Sequence, residues 1–176
     1  MRTRLAVLMA LGLAVSAGLA GCGFQPLYAQ QGVISNLEQI EVVAPQGRTG
    51  YLLREHLDDA LAKNHDAAPT YRMNLAIGET RYPRGVRVDA VATRYEYVLT
   101  ADYSLVRIAS GKLAKHGRVR VELTYDSADQ PYASITAQQD AEDRAAEEAA
   151  RRIQLELATW VATGEKEPGA KGGPKA

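Results

Sequence analysis

The chain is 176 residues long, with 21 basic against 21 acidic residues and a formal net charge of +0. So even a balance gives no bulk attraction for nucleic acid, and a single cysteine excludes a disulfide framework. Nine tyrosines stand against one phenylalanine and one tryptophan, an aromatic set suited to half-buried sheet faces where the ring packs and the hydroxyl stays wet.

The first segment reads as an export signal. Arg2 and Arg4 precede an uncharged stretch from Leu5 to Leu19, the order of a basic n-region and an apolar h-region. That stretch is shorter than the roughly 20 residues a helix needs to cross a bilayer. Leu19-Ala20-Gly21-Cys22 closes it: small residues lead directly into the lone cysteine, as in the lipobox of bacterial lipoproteins. Residues 1–21 are therefore predicted to be cut away and Cys22 to become the lipidated first residue. A thiol is required there because it forms the thioether to diacylglycerol, and the amine freed by cleavage takes a further acyl chain. Burial of acyl chains is worth about 0.8 kcal/mol per methylene, so more than one chain gives a stable anchor. The competing reading is a secreted protein with a free cysteine. Arg2 and Arg4 leave with the leader, so the remaining chain is slightly acidic and long enough for one domain with a real core.

Residues 22–36 hold no sustained period and include Pro26 and Gly32, an extended linker between lipid and domain. Glu38 to Val43 alternates as a first strand, ended by Pro45 and Gly47. A helix follows, capped by Thr49, with Leu53, Leu57, Ala60 and Leu61 on one stripe and Arg54, Glu55, Asp58, Asp59 and Lys63 facing out. Three strands come next. Tyr71, Met73, Leu75 and Ile77 alternate with polar neighbours, and 81–85 reads as a loop around Pro83 and Gly85. Tyr95 to Leu105 alternates over its whole length, Ala109-Ser110-Gly111-Lys112 supplies a hairpin turn, and Val119 to Tyr125 alternates again.

From about Gln138 to Thr163 the period becomes helical, with Ala145, Ala146, Ala149, Ile153, Leu157 and Trp160 on one side. Asp140 with Arg144, Glu147 with Arg151 and Glu148 with Arg152 are acid-before-base pairs at i, i+4 on its outer face. The tail 164–176 is too poor in apolar residues to order itself. The order β-α-β-β-β-α over 37–163 predicts an α+β two-layer sandwich, a four-stranded, mostly antiparallel (mixed) sheet with two helices on one face. The other face, carrying Arg72, Arg94, Glu96, Thr100, Arg118, Arg120 and Glu122, is then open to a partner or ligand.

No convergent catalytic set is visible. His56, His65 and His116 lack metal-ligand spacing, the adjacent acids Asp58-Asp59 and Glu147-Glu148 sit on outward helix faces, and there is no glycine-rich phosphate loop or nucleophile elbow. The residue pattern is that of a binding protein, not an enzyme, with no metal and no cofactor beyond the covalent lipid. Its sharper features are cationic: Arg81, Arg84 and Arg87 around the first hairpin, and Lys112, Lys115, Arg118 and Arg120 from the second turn into the last strand. Such donors can make charge-assisted hydrogen bonds to phosphates; they can equally be cross-strand partners for Glu79, Glu96 or Glu122.

Two motifs carry a family resemblance. Cys22-Gly23-Phe24-Gln25-Pro26-Leu27-Tyr28 resembles the mature start of the LptE lipopolysaccharide-assembly lipoproteins in their alphaproteobacterial form, and Tyr132 to Ala146 is similar to that family's lead into its last helix. The resemblance implies a lipid-anchored protein on the periplasmic side of the outer membrane. It would plug the lumen of the LptD β-barrel translocon, assist the assembly of that barrel, and bind lipopolysaccharide on its way to the outer leaflet. On that reading the cations named above face lipid A phosphates and core sugars. Gly23 after the cysteine, in place of aspartate, agrees with sorting to the outer membrane. An auxiliary lipoprotein of a lipid-transporting ABC system is the alternative, since it too joins a lipobox to a small α+β domain; an anchored hydrolase would need a catalytic set that is not there.

Overall fold

The structure is a computed structural model and describes residues 37–86, 92–127 and 130–164. Strand β1 spans Ile40–Val43, helix α1 Arg48–Ala60, β2 Tyr71–Val86, β3 Ala92–Arg107, β4 Leu113–Asp126 and helix α2 Pro131–Ala162. The strands form one sheet in the order β1-β2-β3-β4. β1 pairs parallel to β2, from Ile40 opposite Tyr71 to Val43 opposite Asn74, and a parallel pair needs a crossover, which α1 supplies. The other pairs are antiparallel. This is the expected mixed sheet with both helices on one face.

Period-2 alternation decides which face is covered. Tyr71, Met73, Tyr97, Leu99, Ala101, Tyr103, Leu105, Val119 and Val121 are all buried beneath the helices. Against them α1 lays Leu53, Leu57 and Leu61, and α2 lays Ile153, Leu157 and Trp160. Ala141, Ala145, Ala146, Ala149, Ala150 and Ala158 are buried along α2, and side chains this small let a helix approach both the sheet and a second helix closely. Trp160 meets Tyr71 edge-on, with centroids 5.8 Å apart, the favourable arrangement of two ring quadrupoles.

The expected elements need correction at three places. The stretch 81–85 is not a loop: β2 runs through it to Val86, with Pro83 opposite Tyr95 and Arg84 opposite Arg94. β1 stops beside Asn74, so beyond that point β2 is an edge strand, where a missing N–H is tolerated. Gly85 takes φ +62, a value glycine accepts freely, and the Thr93 hydroxyl donates to its carbonyl at 2.5 Å. Helix α2 begins at Pro131, seven residues ahead of Gln138; proline at the first helical position has no N–H to leave unsatisfied, while exposed Tyr132 and Ile135 break the apolar period there. Thr49 does not cap α1, whose N-cap is Gly47; Thr49 is buried instead. Cys22, the linker 22–36, Arg87 and residues 165–176 lie outside the described residues.

Candidate ligand and partner surfaces

The open face of the sheet is a lattice of ion pairs. Arg72 Nε lies 2.9 Å from Glu41 Oε2, Arg84 Nε 2.7 Å from Glu96 Oε2, and Arg94 Nε 2.8 Å from Asp126 Oδ1. Arg118 holds both oxygens of Asp102, at 2.5 and 3.2 Å, and Arg120 meets Glu122 at 2.7 Å. Arg72, Arg94 and Arg118 stand directly opposite their acids across the ladder, while Arg84 reaches Glu96 diagonally and Arg120 reaches Glu122 along its own strand. The hydrogen bond and charge of Asp102 raise the pKa of Arg118, and those of Asp126 raise that of Arg94. Arg84 also lies 5.8 Å over the Tyr82 ring.

The expected cationic residues do not form one cluster. Arg81 is odd-numbered and on the helix face, where its guanidinium donates to Gln138 Oε1 of α2; Arg84 is on the open face. Arg118 and Arg120 sit on the open face of β4, both paired with acids. Lys112 is in the β3–β4 turn, and Lys115 stands opposite Leu105 beside a bulge; among the described residues neither makes an ion pair. Tyr71 pairs with Arg107, so this turn is at the Tyr71 end of β2. Arg81 is ten residues further along, about 33 Å away at 3.3 Å per strand residue.

One polar network went unread in the sequence. Tyr97 OH donates to Glu79 Oε2 at 2.8 Å and accepts a hydrogen bond from the Thr49 side chain. Burial, more than any partner, pushes its phenol well above the ordinary tyrosine range; Thr49 works against that shift and Glu79 adds to it. Next to it Glu142, 8% exposed, accepts from Gln138 Nε2 at 2.7 Å and lies 3.3 Å from Arg48 Nε. Glu79, Thr80, Arg81, Tyr97, Gln138 and Glu142 line a cleft of about 260 Å³ between β2 and α2. The only signals for it in the sequence are polar residues, Glu79 and Arg81, at positions where the strand alternation calls for apolar ones.

The histidines stay apart. His56 Nε2 is 2.9 Å from Asp143 Oδ1 and ties α1 to α2, and among the described residues no group of histidine, cysteine and carboxylate side chains could hold a metal. Nor, among those residues, is any helix long and apolar enough to cross a membrane.

Comparison with known proteins fixes the relationship. A putative lipoprotein from Caulobacter crescentus is 52% identical, with a TM-score of 0.66 over 78% of this chain and 99% of that one. The rare lipoprotein B from Shewanella oneidensis, 18% identical, gives 0.55 over 73% and 98%, and a lipoprotein B from Nitrosomonas europaea, 14% identical, gives 0.55 over 72% and 86%; these two speak for the fold alone. No curated protein sequence matches significantly. The family model described as "LptE: Lipopolysaccharide-assembly" matches residues 37–157, from the first buried leucine to the last turns of α2. The chain belongs to the LptE family of lipopolysaccharide-assembly lipoproteins.

Proposed function

We propose that this protein is anchored through acyl chains on Cys22 to the periplasmic side of the outer membrane. There it plugs the LptD β-barrel, assists the assembly of that barrel, and binds lipopolysaccharide bound for the outer leaflet. The observation that carries the reading is the family match, which spans nearly the whole described domain. The lipobox at Cys22 supports the address. A non-catalytic role follows from membership of the LptE family.

Of the candidate lipopolysaccharide contacts, Arg81, Arg84 and Arg87 at the β2–β3 hairpin are favoured over Arg118 and Arg120. Arg81 meets a neutral amide rather than an acid, and among the described residues it makes no ion pair. Arg118 engages both oxygens of Asp102, whereas Arg84 engages only one oxygen of Glu96, so a phosphate displaces the Asp102 carboxylate less readily than that of Glu96. Lys112 and Lys115, which make no ion pair among the described residues, stand at the opposite end of the sheet.

Extraction in mild detergent tests the partner: the protein is expected to co-purify with a large outer-membrane barrel, and recovery with an inner-membrane ABC complex would support the auxiliary-lipoprotein reading instead. Alanine at Arg81, Arg84 and Arg87 together should weaken lipopolysaccharide binding at least tenfold, equivalent to about 1.4 kcal/mol; alanine at Arg118 and Arg120 should change it little. Unchanged binding in the hairpin variant would remove these residues from the proposal.

A further inference from the structure

We infer that the free edge of β2 beyond Asn74 is a docking edge, which takes an extended segment of the enclosing barrel protein as an added strand in line with β1; the inference rests on the plug reading. Backbone geometry defines this edge. Ile108 N–H donates to Thr70 O at 3.0 Å, whereas Tyr71 N–H donates to Gln39 O at 3.3 Å on the other side. Adjacent residues of a strand turn their N–H and C=O groups to opposite neighbours, so the even-numbered residues of β2 bond to β3 and the odd-numbered ones face β1. β1 reaches only as far as Asn74, while β2 continues to Val86. After Val43 the chain leaves the sheet, and Pro45 O packs against Gly50 of α1. Ile77, Glu79 and Arg81 therefore each turn an N–H and a C=O outward, and among the described residues no backbone group meets them.

The other edge of the sheet is treated differently. Ser127 N–H donates to Thr93 O at 2.9 Å, so the outward groups of β4 are those of its even-numbered residues. One of them, Arg120 O, accepts from Arg152 Nη1 at 3.0 Å, and Glu148 holds that arginine from 2.7 Å. Helix α2 thus guards the middle of β4, the kind of device that keeps an exposed edge from pairing. Along β2 no side chain among the described residues caps the outward groups of Ile77, Glu79 or Arg81. On the open face this stretch carries exposed Ala76, Gly78 and Thr80, and a Cβ added at Gly78 would meet nothing within 4 Å, which leaves room for larger side chains of an incoming strand. On the helix face it borders the cleft of Glu79, Arg81, Gln138 and Glu142, which suits polar ones. Pro83 has no N–H to offer and sets the far limit of pairing, so Arg84 stays beyond it, free for ligand. Such an edge binds through main-chain hydrogen bonds, and alternate side chains give the specificity. The strands of a barrel are closed on one another, so the docked segment comes from a loop or a chain end inside the lumen.

The test uses the full processed lipoprotein in detergent, alone and as co-purified with the barrel. Amide exchange resolved to single residues should slow at least about tenfold at Ile77, Glu79 and Arg81 in the complex, while Ala76, Gly78 and Thr80, already bonded to β3, should change little. A photo-crosslinking residue placed at Gly78 should capture the barrel chain. Glu79→Pro removes an outward N–H and leaves the β3 ladder whole, so it should lower recovery of the complex about tenfold. Glu79→Ala, which loses the same bond to Tyr97 but keeps the N–H, should be recovered as the parent is. The exchange pattern of the parent decides where Glu79→Pro does not fold. Unchanged exchange at the odd-numbered amides of an intact complex would overturn the docking edge but leave the plug reading standing. A cross-link from Gly78 to a second copy of this chain, to its own residues 22–36 or to lipopolysaccharide would overturn the barrel as occupant. Failure to recover any barrel complex would overturn the plug reading, and the docking edge with it.

Discussion

The two ends of this small domain are built on different terms. At the Tyr71 end both helices cover the sheet, and Leu53, Leu57, Met73, Leu105, Ile153 and Leu157 are fully buried. Towards the hairpin end α1 contributes only its first turn, where Thr49 meets Tyr97 and Arg48 meets Glu142, and α2 covers the strands through a polar network that also holds Arg81 and Gln138. Apolar burial holds the first end and polar contacts dress the second. The teaching is that stability and ligand chemistry are drawn from opposite ends, so substitutions can separate them.

The largest contrast is in the core. Leu57→Ala, at a site with 0% exposure, is expected to cost about 2 to 5 kcal/mol of unfolding free energy. Tyr132→Ala, at 87% exposure on the far end, should stay within about 0.5 kcal/mol. Denaturant titration of both variants reads the difference, and similar midpoints would break the contrast between the two ends.

A middle-sized effect belongs to the boundary between them. Tyr103 OH donates to Glu156 Oε2 at 2.5 Å, and the ring lies flat over Gly117, where an added Cβ would come within 2.5 Å of it. Gly117→Ala must therefore push the ring off its carboxylate, at a cost of about 1 to 3 kcal/mol. Tyr103→Phe should lose a similar hydrogen bond, and the two changes together should cost less than their sum because both act through one ring.

The same tyrosines set an alkaline limit. Burial first, and then Glu156, pushes the Tyr103 phenol well above its ordinary range, and burial does the same at Tyr97. The unfolded chain releases these protons near pH 10 while the folded one keeps them. Their contribution is thus complete below that value and falls as pH rises through it. Stability measured between about pH 9 and pH 11 should decline, and the decline should be shallower in Tyr103→Phe.

Much of the base was legible because its signals are periodic. The alternation of Tyr71 to Ile77 and of Tyr95 to Leu105 sets which face is buried, and the i, i+4 pairs of α2 appear at 2.9 Å for Asp140 with Arg144 and 2.7 Å for Glu148 with Arg152. The hairpin end was less legible, for two reasons. Pro83 and Gly85 are turn residues by local chemistry, and only the absence of a β1 neighbour beyond Asn74 lets β2 continue through them. The Thr49, Tyr97 and Glu79 network joins residues distant in sequence, and nothing at any one position announces its partners. The cationic residues were visible one by one, but their division between two faces and two ends depends on strand register, which a one-residue slip would invert.

The smallest predicted change in stability is the most telling about function. Arg84 lies on the open face with its side chain 59% exposed, against 19% for Glu96, and exposed pairs of this kind contribute about 0 to 1 kcal/mol. Arg84→Ala should therefore leave the denaturation midpoint nearly where it was. Arg84→Lys keeps the charge but loses the paired guanidinium contacts to Glu96 and the guanidinium's place over the Tyr82 ring. If Arg84 serves a phosphate as a point charge, the lysine variant should bind lipopolysaccharide nearly as well as the parent and the alanine variant should not. If its planar geometry matters, both should fall together. Equal binding by all three proteins would mean that Arg84 only fastens β2 to β3, and the hairpin end would then owe its ligand contacts to Arg81 and Arg87.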